Sequence, residues 1–143
     1  MNPGQPDAPY SGDLPRRVVL VVEYEAMLAL DLEQVLAAAG YEVVLAADGR
    51  AAFAKAADPA VRLLAAIVNL HLPDGVTGRE VVCRLRAQRP GLPVVVVTGY
   101  SPLAPQADLR GLGGPTVRLQ KPIQPERLLQ RLSDAMMSVS GIA

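Results

Sequence analysis

A chain of 143 residues with a single cysteine, no net charge and no long apolar run is restricted by each of these lacks. With Cys83 alone, an internal disulfide is excluded and a cysteine-based metal site lacks its second thiol. Lysine plus arginine and aspartate plus glutamate number 14 each, so no overall field draws the chain to nucleic acid or to an anionic membrane. A membrane-spanning helix needs about 20 apolar residues in succession, and the amino terminus is rich in Pro, Gly and Asp rather than basic and then apolar. The expectation is a soluble, cytoplasmic protein without nucleic-acid or membrane partners. No segment repeats at a fixed period, which excludes a solenoid.

What is present suits one globular domain. Half of the residues are apolar, too many for a disordered chain, and the length supports a single core. Residues 1–15 hold four prolines and two glycines without periodicity and read as a flexible leader; residues 139–143 read as a flexible tail. Between them, five short β-branched or apolar runs alternate with helical patterns. The runs are Arg17 to Val22, Glu42 to Ala46, Leu63 to Asn69, Pro93 to Thr98 and Thr116 to Leu119. The first helix runs from Ala26 to Ala39 and is closed by Gly40. Asp48 caps a second, alanine-rich helix. Thr77 and Glu80 form a capping-box pattern for a third helix, in which Cys83 falls among Val81, Val82 and Leu85 and is expected as a packed core thiol. Residues 101–115, with three prolines and three glycines, leave room for one short helix over Pro105 to Arg110. The last helix starts at Pro125 and carries Leu128, Leu129, Leu132 and Met136 on one face.

Strands alternating with helices, joined by right-handed crossovers, give a doubly wound (βα)5 parallel sheet of the α/β class. Its natural strand order is the flavodoxin-like 2-1-3-4-5. Ligands of such sheets bind beyond the carboxyl ends of the strands. There the order brings together Glu23 and Tyr24, Asn69, Thr98 and Lys121.

Four pieces of the chain resemble the receiver domain of bacterial response regulators, chemotaxis-regulator-like and PhyR-like. They are Val21 to Glu25, Ile67 to Gly75, Val94 to Tyr100 and Gln120-Lys121-Pro122, in the matching order, and the resemblance covers about residues 16–138. In that family two acidic residues after the first strand and an aspartate ending the third hold magnesium. That aspartate takes a phosphoryl group from a histidine kinase. A Ser or Thr ending the fourth strand, a lysine after the fifth and an aromatic on the fifth strand read out the event. The resemblance places Glu23 at the first acidic position, Thr98 at the switch hydroxyl, Lys121 at the phosphate-pairing lysine, and a cis bond between Lys121 and Pro122. His71 falls where a backbone carbonyl serves the metal.

Three positions depart from the family pattern: Tyr24 replaces the second acid, Asn69 the phosphorylated aspartate and Arg118 the switch aromatic. A neutral amide oxygen is far too weak a nucleophile to form an acyl phosphate. With Glu23 as the remaining carboxylate and Glu25 a distant helper, magnesium binding is expected to be weak or lost and no cofactor is called for. Glu23 and Lys121 are expected to pair directly with Asn69 bridging, Tyr24 to cover the crevice with its ring, and His71 to be solvated on its loop. Arg118, costly to bury unpaired, is expected to stay on the surface. Arg118 and Tyr100 are the switch and interface candidates. The expected function is that of a stand-alone, non-enzymatic receiver domain with no effector domain following. It acts by phosphorylation-independent contact with a histidine kinase or another regulator, or as a homodimer through the face made by the family's fourth helix, fifth strand and fifth helix. The alternatives are a working phosphoreceiver with His71, Asp74 or Glu23 as acceptor, and a small-anion sensor built on Lys121, Thr98 and His71.

Overall fold

A computed structural model describes residues 16–73 and 75–139. The leader assigned to 1–15, most of the assigned tail and Asp74 lie outside the described residues. In chain order the elements are β1 (Arg16–Val22), α1 (Ala26–Ala38), β2 (Val43–Ala46), α2 (Gly49–Ala57), β3 (Val61–Asn69), α3 (Gly78–Gln88), β4 (Val94–Thr98), a 3₁₀ turn (Pro105–Ala107), β5 (Thr116–Gln120) and α4 (Pro125–Val139). The five strands form one sheet in the order β2-β1-β3-β4-β5, and every pairing is parallel. This is the doubly wound order expected from the sequence. No helix among the described residues is long and apolar enough to cross a membrane.

The unbroken apolar strands are explained by two cores, one on each face of the sheet. Val18, Leu20 and Val22 of β1 face one way and pack with Ala52 of α2 and Val81, Val82 and Leu85 of α3. Val19 and Val21 face the other way, toward Leu32 and Leu36 of α1 and Leu128, Leu132 and Ala135 of α4. A strand covered on both sides has no use for alternation, and a β-branched run satisfies both faces. β5 lies at an edge and is less buried, in keeping with its alternating sequence.

Local signals hold at most helix ends. Asp48 Oδ1 accepts from the Ala51 amide at 2.8 Å, Thr77 Oγ1 accepts from the Glu80 amide at 3.1 Å, and Gly40 takes φ +99° after α1. The capping box is only half made: among the described residues the Glu80 carboxylate gives no return bond. The Lys121-Pro122 bond is cis, as the resemblance implied.

Two expectations are corrected. Cys83 is exposed, not a core thiol. The buried stripe of α3 is Gly78, Val81, Val82 and Leu85, and the helical turn carries residue 83 away from it. The helix expected over Pro105 to Arg110 is a three-residue 3₁₀ turn. Beyond it, Gly111, Gly113 and Gly114 all have positive φ, which a right-handed helix cannot use.

One close approach positions the site. A Cβ at Gly78 would fall 2.3 Å from the Asn69 carbonyl oxygen and 2.6 Å from Leu70 Cα, so α3 starts against the end of β3 only because residue 78 has no side chain. Gly78→Ala is expected to cost about 1–3 kcal/mol, the usual range for overpacking against atoms that cannot swing away. Urea denaturation measures it, and an unchanged midpoint would refute the close contact.

Candidate functional site

The carboxyl ends of the strands bring Glu23, Asn69 and Thr98 together below the surface, where they are 3%, 3% and 0% exposed. Asn69 is the last residue of β3, and its amide is used at both ends. Its Nδ2 donates to Glu23 Oε1 at 2.9 Å, and its Oδ1 accepts from the His71 amide at 3.0 Å. The second Glu23 oxygen accepts from the Glu25 amide at 3.0 Å. A buried carboxylate is costly unless its lone pairs are met, and here a neutral amide and a backbone N–H meet them.

This arrangement corrects the expected Glu23–Lys121 ion pair. Among the described residues the Lys121 ammonium makes no salt bridge or hydrogen bond. Its backbone N–H donates to the Thr98 carbonyl at 2.8 Å, which fixes the start of the last turn beside the site. Asn69 therefore bridges to Glu23 but not onward to lysine.

Thr98 Oγ1 accepts from the Tyr100 amide at 3.0 Å and lies 3.3 Å from His71 Nε2. The His71 ring stacks edge to face with Tyr100, centroids 4.7 Å apart. His71 is thus not a solvated loop residue: its imidazole lies against the Thr98 hydroxyl on one side and the Tyr100 ring on another. Tyr24, expected as the cover, is 48% exposed, and the ring contact at the site belongs to His71 and Tyr100 instead. Burial, and then the positive charge of Lys121, hold the His71 pKa below its usual value of 6.5. Folding therefore binds the His71 proton less tightly than unfolding does, and this group contributes stability that falls as the pH drops below 6.5 toward the folded pKa. The chain has one histidine, so its ring signals in a proton NMR titration are unambiguous. The expected midpoint lies below 6.5 and moves up in Lys121→Gln. A midpoint at or above 6.5 would contradict the geometry.

Arg118 also departs from expectation. Instead of standing at the surface it is part-buried on β5, with Nη2 donating to the Ala107 carbonyl at 2.7 Å and Nε enclosed without a hydrogen-bond partner among the described residues. The 3₁₀ turn supplies the acceptor that makes this burial tolerable.

Two further arginines, which the sequence reading passed over, hold the irregular segment after β4. Arg79 donates to the carbonyls of Asp108 and Arg110. Arg86 donates to the carbonyls of Leu92, Leu112, Gly113 and Pro115 and to Thr116 Oγ1, at 2.6–3.1 Å. Carbonyls that a helix would have paired internally are paired by guanidinium groups. The available signal was a Pro- and Gly-rich stretch unable to satisfy its own backbone, in a chain with arginines on the preceding helix.

The sequence and the fold have known relatives. Residues 19–133 match the family described as response regulator receiver domain. The chain is 31% identical over 125 residues to the probable transcriptional regulatory protein TcrX of Mycobacterium tuberculosis, covering 87% of this chain and 51% of that protein. It is 36% identical over 115 residues to the transcriptional regulatory protein TcrA of the same organism, covering 80% and 44%. It is 29% identical over 119 residues to the phyllosphere-induced regulator PhyR of Methylorubrum extorquens, covering 82% and 43%. The chain thus spans about half the length of these curated relatives. Among solved structures it resembles a CheY-like receiver domain from Methanospirillum hungatei, with TM-score 0.76, 26% identity, and coverage of 90% of this chain and 99% of that one. It also resembles the chemotaxis protein CheY4 of Vibrio cholerae, with TM-score 0.74, 33% identity and coverage of 85% and 98%. Fold, family model and sequence relatives agree that this chain belongs to the response regulator receiver domain family of two-component signalling.

Proposed function

We propose that this receiver domain works without aspartyl phosphorylation and signals by protein–protein contact. The observation that carries the reading is the Asn69 amide, hydrogen-bonded to Glu23 on one side and to the His71 amide on the other. An amide at this position cannot serve as the carboxylate nucleophile of phosphoryl transfer, and its two hydrogen bonds already supply the order that metal and phosphate would otherwise impose. Magnesium prefers several hard oxygen donors. Among the described residues Glu23 is the one buried carboxylate, both its oxygens accept hydrogen bonds, and Tyr24 adds no charge, so the donor set suits magnesium poorly. The same two bonds count against Glu23 as an alternative acceptor.

The contact surface is the face made by the segment after β4, β5 and α4. Leu103 is 94% exposed there and Tyr100 half exposed, and Arg118 ties β5 to the 3₁₀ turn in place of an inward-swinging aromatic. The partner is a histidine kinase, another regulator or a second copy of the domain. The test is incubation with a small acyl-phosphate donor and magnesium, followed by intact mass. Unchanged mass is expected, and a hydroxylamine-labile phosphoryl addition would overturn the reading.

A second reading, anion sensing in the crevice, draws support from Lys121, whose ammonium lacks a bonded partner among the described residues and whose charge is felt by His71. It predicts thermal stabilisation by inorganic phosphate that disappears in Lys121→Gln.

A further inference from the structure

At the opposite end of the sheet from the crevice, three guanidinium groups line one cavity of about 380 Å³. Arg17 and Arg62 are register partners on the adjacent parallel strands β1 and β3, so their side chains leave the sheet side by side. Arg89, the residue that ends α3, joins them from the other side of the opening. Half-buried Leu64, backed by the buried Leu92 and Pro93, forms an apolar wall.

No ion pair among the described residues compensates the charge of this cluster. Among the described residues none of the three guanidinium groups has an ion pair or a hydrogen bond, whereas neighbouring Arg16 pairs with Glu42 at 3.4 Å. Like charges directly across two strands are destabilising. An arginine cannot relieve the repulsion by losing its proton, as a lysine can. Burial, and then the charges of Arg62 and Arg17, lower the Arg89 pKa, so the three groups feel one another. The negative end of α3 offsets part of the Arg89 charge, which leaves Arg17 and Arg62 unbalanced. Planar guanidinium groups in this number match phosphate oxygens through paired N–H donors. The volume lies within the range of small-molecule sites, and the apolar wall gives a ring somewhere to lie.

We propose that this cavity binds a small phosphate ester of mononucleotide size, its phosphate held by Arg17, Arg62 and Arg89 and its ring laid on the half-buried Leu64. The site is separate from the degenerate crevice and does not depend on whether the crevice is phosphorylated.

The test is isothermal titration of the full chain with AMP, and separately with inorganic pyrophosphate, at matched ionic strength. Both probes are expected to bind, AMP more tightly because of its ring. Arg17→Gln and Arg62→Gln, both at exposed positions that leave the core alone, are each expected to weaken binding at least about tenfold, as the loss of a charge-assisted hydrogen bond implies. Arg127→Gln, at an exposed position of α4 outside the cavity lining, is expected to leave it unchanged. No binding of either probe at millimolar concentration overturns the proposal, as does binding that both arginine variants retain. Loss of binding in Lys121→Gln with retention in Arg62→Gln assigns the ligand to the crevice and also overturns it. Pyrophosphate bound more tightly than AMP overturns the ring contact.

Discussion

Replacing Arg86 by alanine is expected to lower the unfolding free energy by about 3–4 kcal/mol, among the larger single-residue effects this domain can show. One guanidinium reaches the carbonyls of Leu92, Leu112, Gly113 and Pro115 and the Thr116 hydroxyl. A hydrogen bond to a charged group contributes about 1.5–3 kcal/mol. Several made by one side chain are not additive, because water reaches the exposed Gly113 carbonyl once the arginine is gone. The buried acceptors at Leu92 and Leu112 have no such replacement. Burial lowers the Arg86 pKa, yet a guanidinium remains charged throughout the accessible pH range, so the loss should not vary between pH 5 and 9. Arg86→Lys should recover little of it, since one ammonium cannot span acceptors spread over two turns of chain. Urea denaturation gives the free energy, and amide exchange across residues 99–116 should quicken selectively. A loss under about 1 kcal/mol would mean that this segment is held by something other than Arg86.

The second large effect concerns Asn69→Asp, which installs a carboxylate in place of an amide already in contact with Glu23. The 2.9 Å donor–acceptor pair becomes two acceptors facing each other, in a pocket where both residues are almost fully enclosed. Two carboxylates at that spacing cannot both ionise cheaply, so one carboxyl pKa should rise well above its unfolded value of about 3.9–4.3. The folded state then holds the extra proton more tightly than the unfolded chain. Stability relative to the native protein should be retained below about pH 4 and should fall as the pH rises through the raised pKa, by about 2–4 kcal/mol in all. Magnesium should recover part of the loss in the variant, by supplying the positive charge that Lys121 does not, while leaving the native protein unaffected. Thermal melts across pH, with and without magnesium, decide the matter. A pH-independent difference between variant and native protein would show that Asn69 and Glu23 are not in contact.

The sequence alone carried the frame of the molecule. The β-branched runs, the Asp48 and Thr77 caps and the glycine after α1 act within a turn or two of chain, and local sterics and hydrogen bonding decide such features wherever the segment lies. Strand order followed because right-handed crossovers leave few alternatives. Thr98 and Asn69 were legible as strand ends for the same reason. The contacts at those ends were not. Glu23 had two partners of suitable chemistry, and which one it takes depends on distances between strand ends that no spacing in the chain records. The site chose the neutral Asn69 amide over Lys121.

His71, Arg118 and Cys83 make the same point from three sides. Each was assigned by what its residue type does on average, and each is decided by a neighbour distant in sequence. Tyr100 and Thr98 draw the His71 ring inward, and the Ala107 carbonyl makes a partly buried Arg118 tolerable. The apolar stripe of α3 against the sheet leaves Cys83 outside. The same division governs function. By itself the sequence determined that the residue ending the third strand is an asparagine, whose neutral amide is a far weaker nucleophile than a carboxylate, because nucleophilicity is a property of the side chain. Only the tertiary structure decided how that asparagine is used, that arginines from α3 replace the internal hydrogen bonds of a missing helix, and that three more converge on one cavity at the far end of the sheet. Those outcomes rest on through-space distances of a few ångströms, and the packing of the two cores sets them.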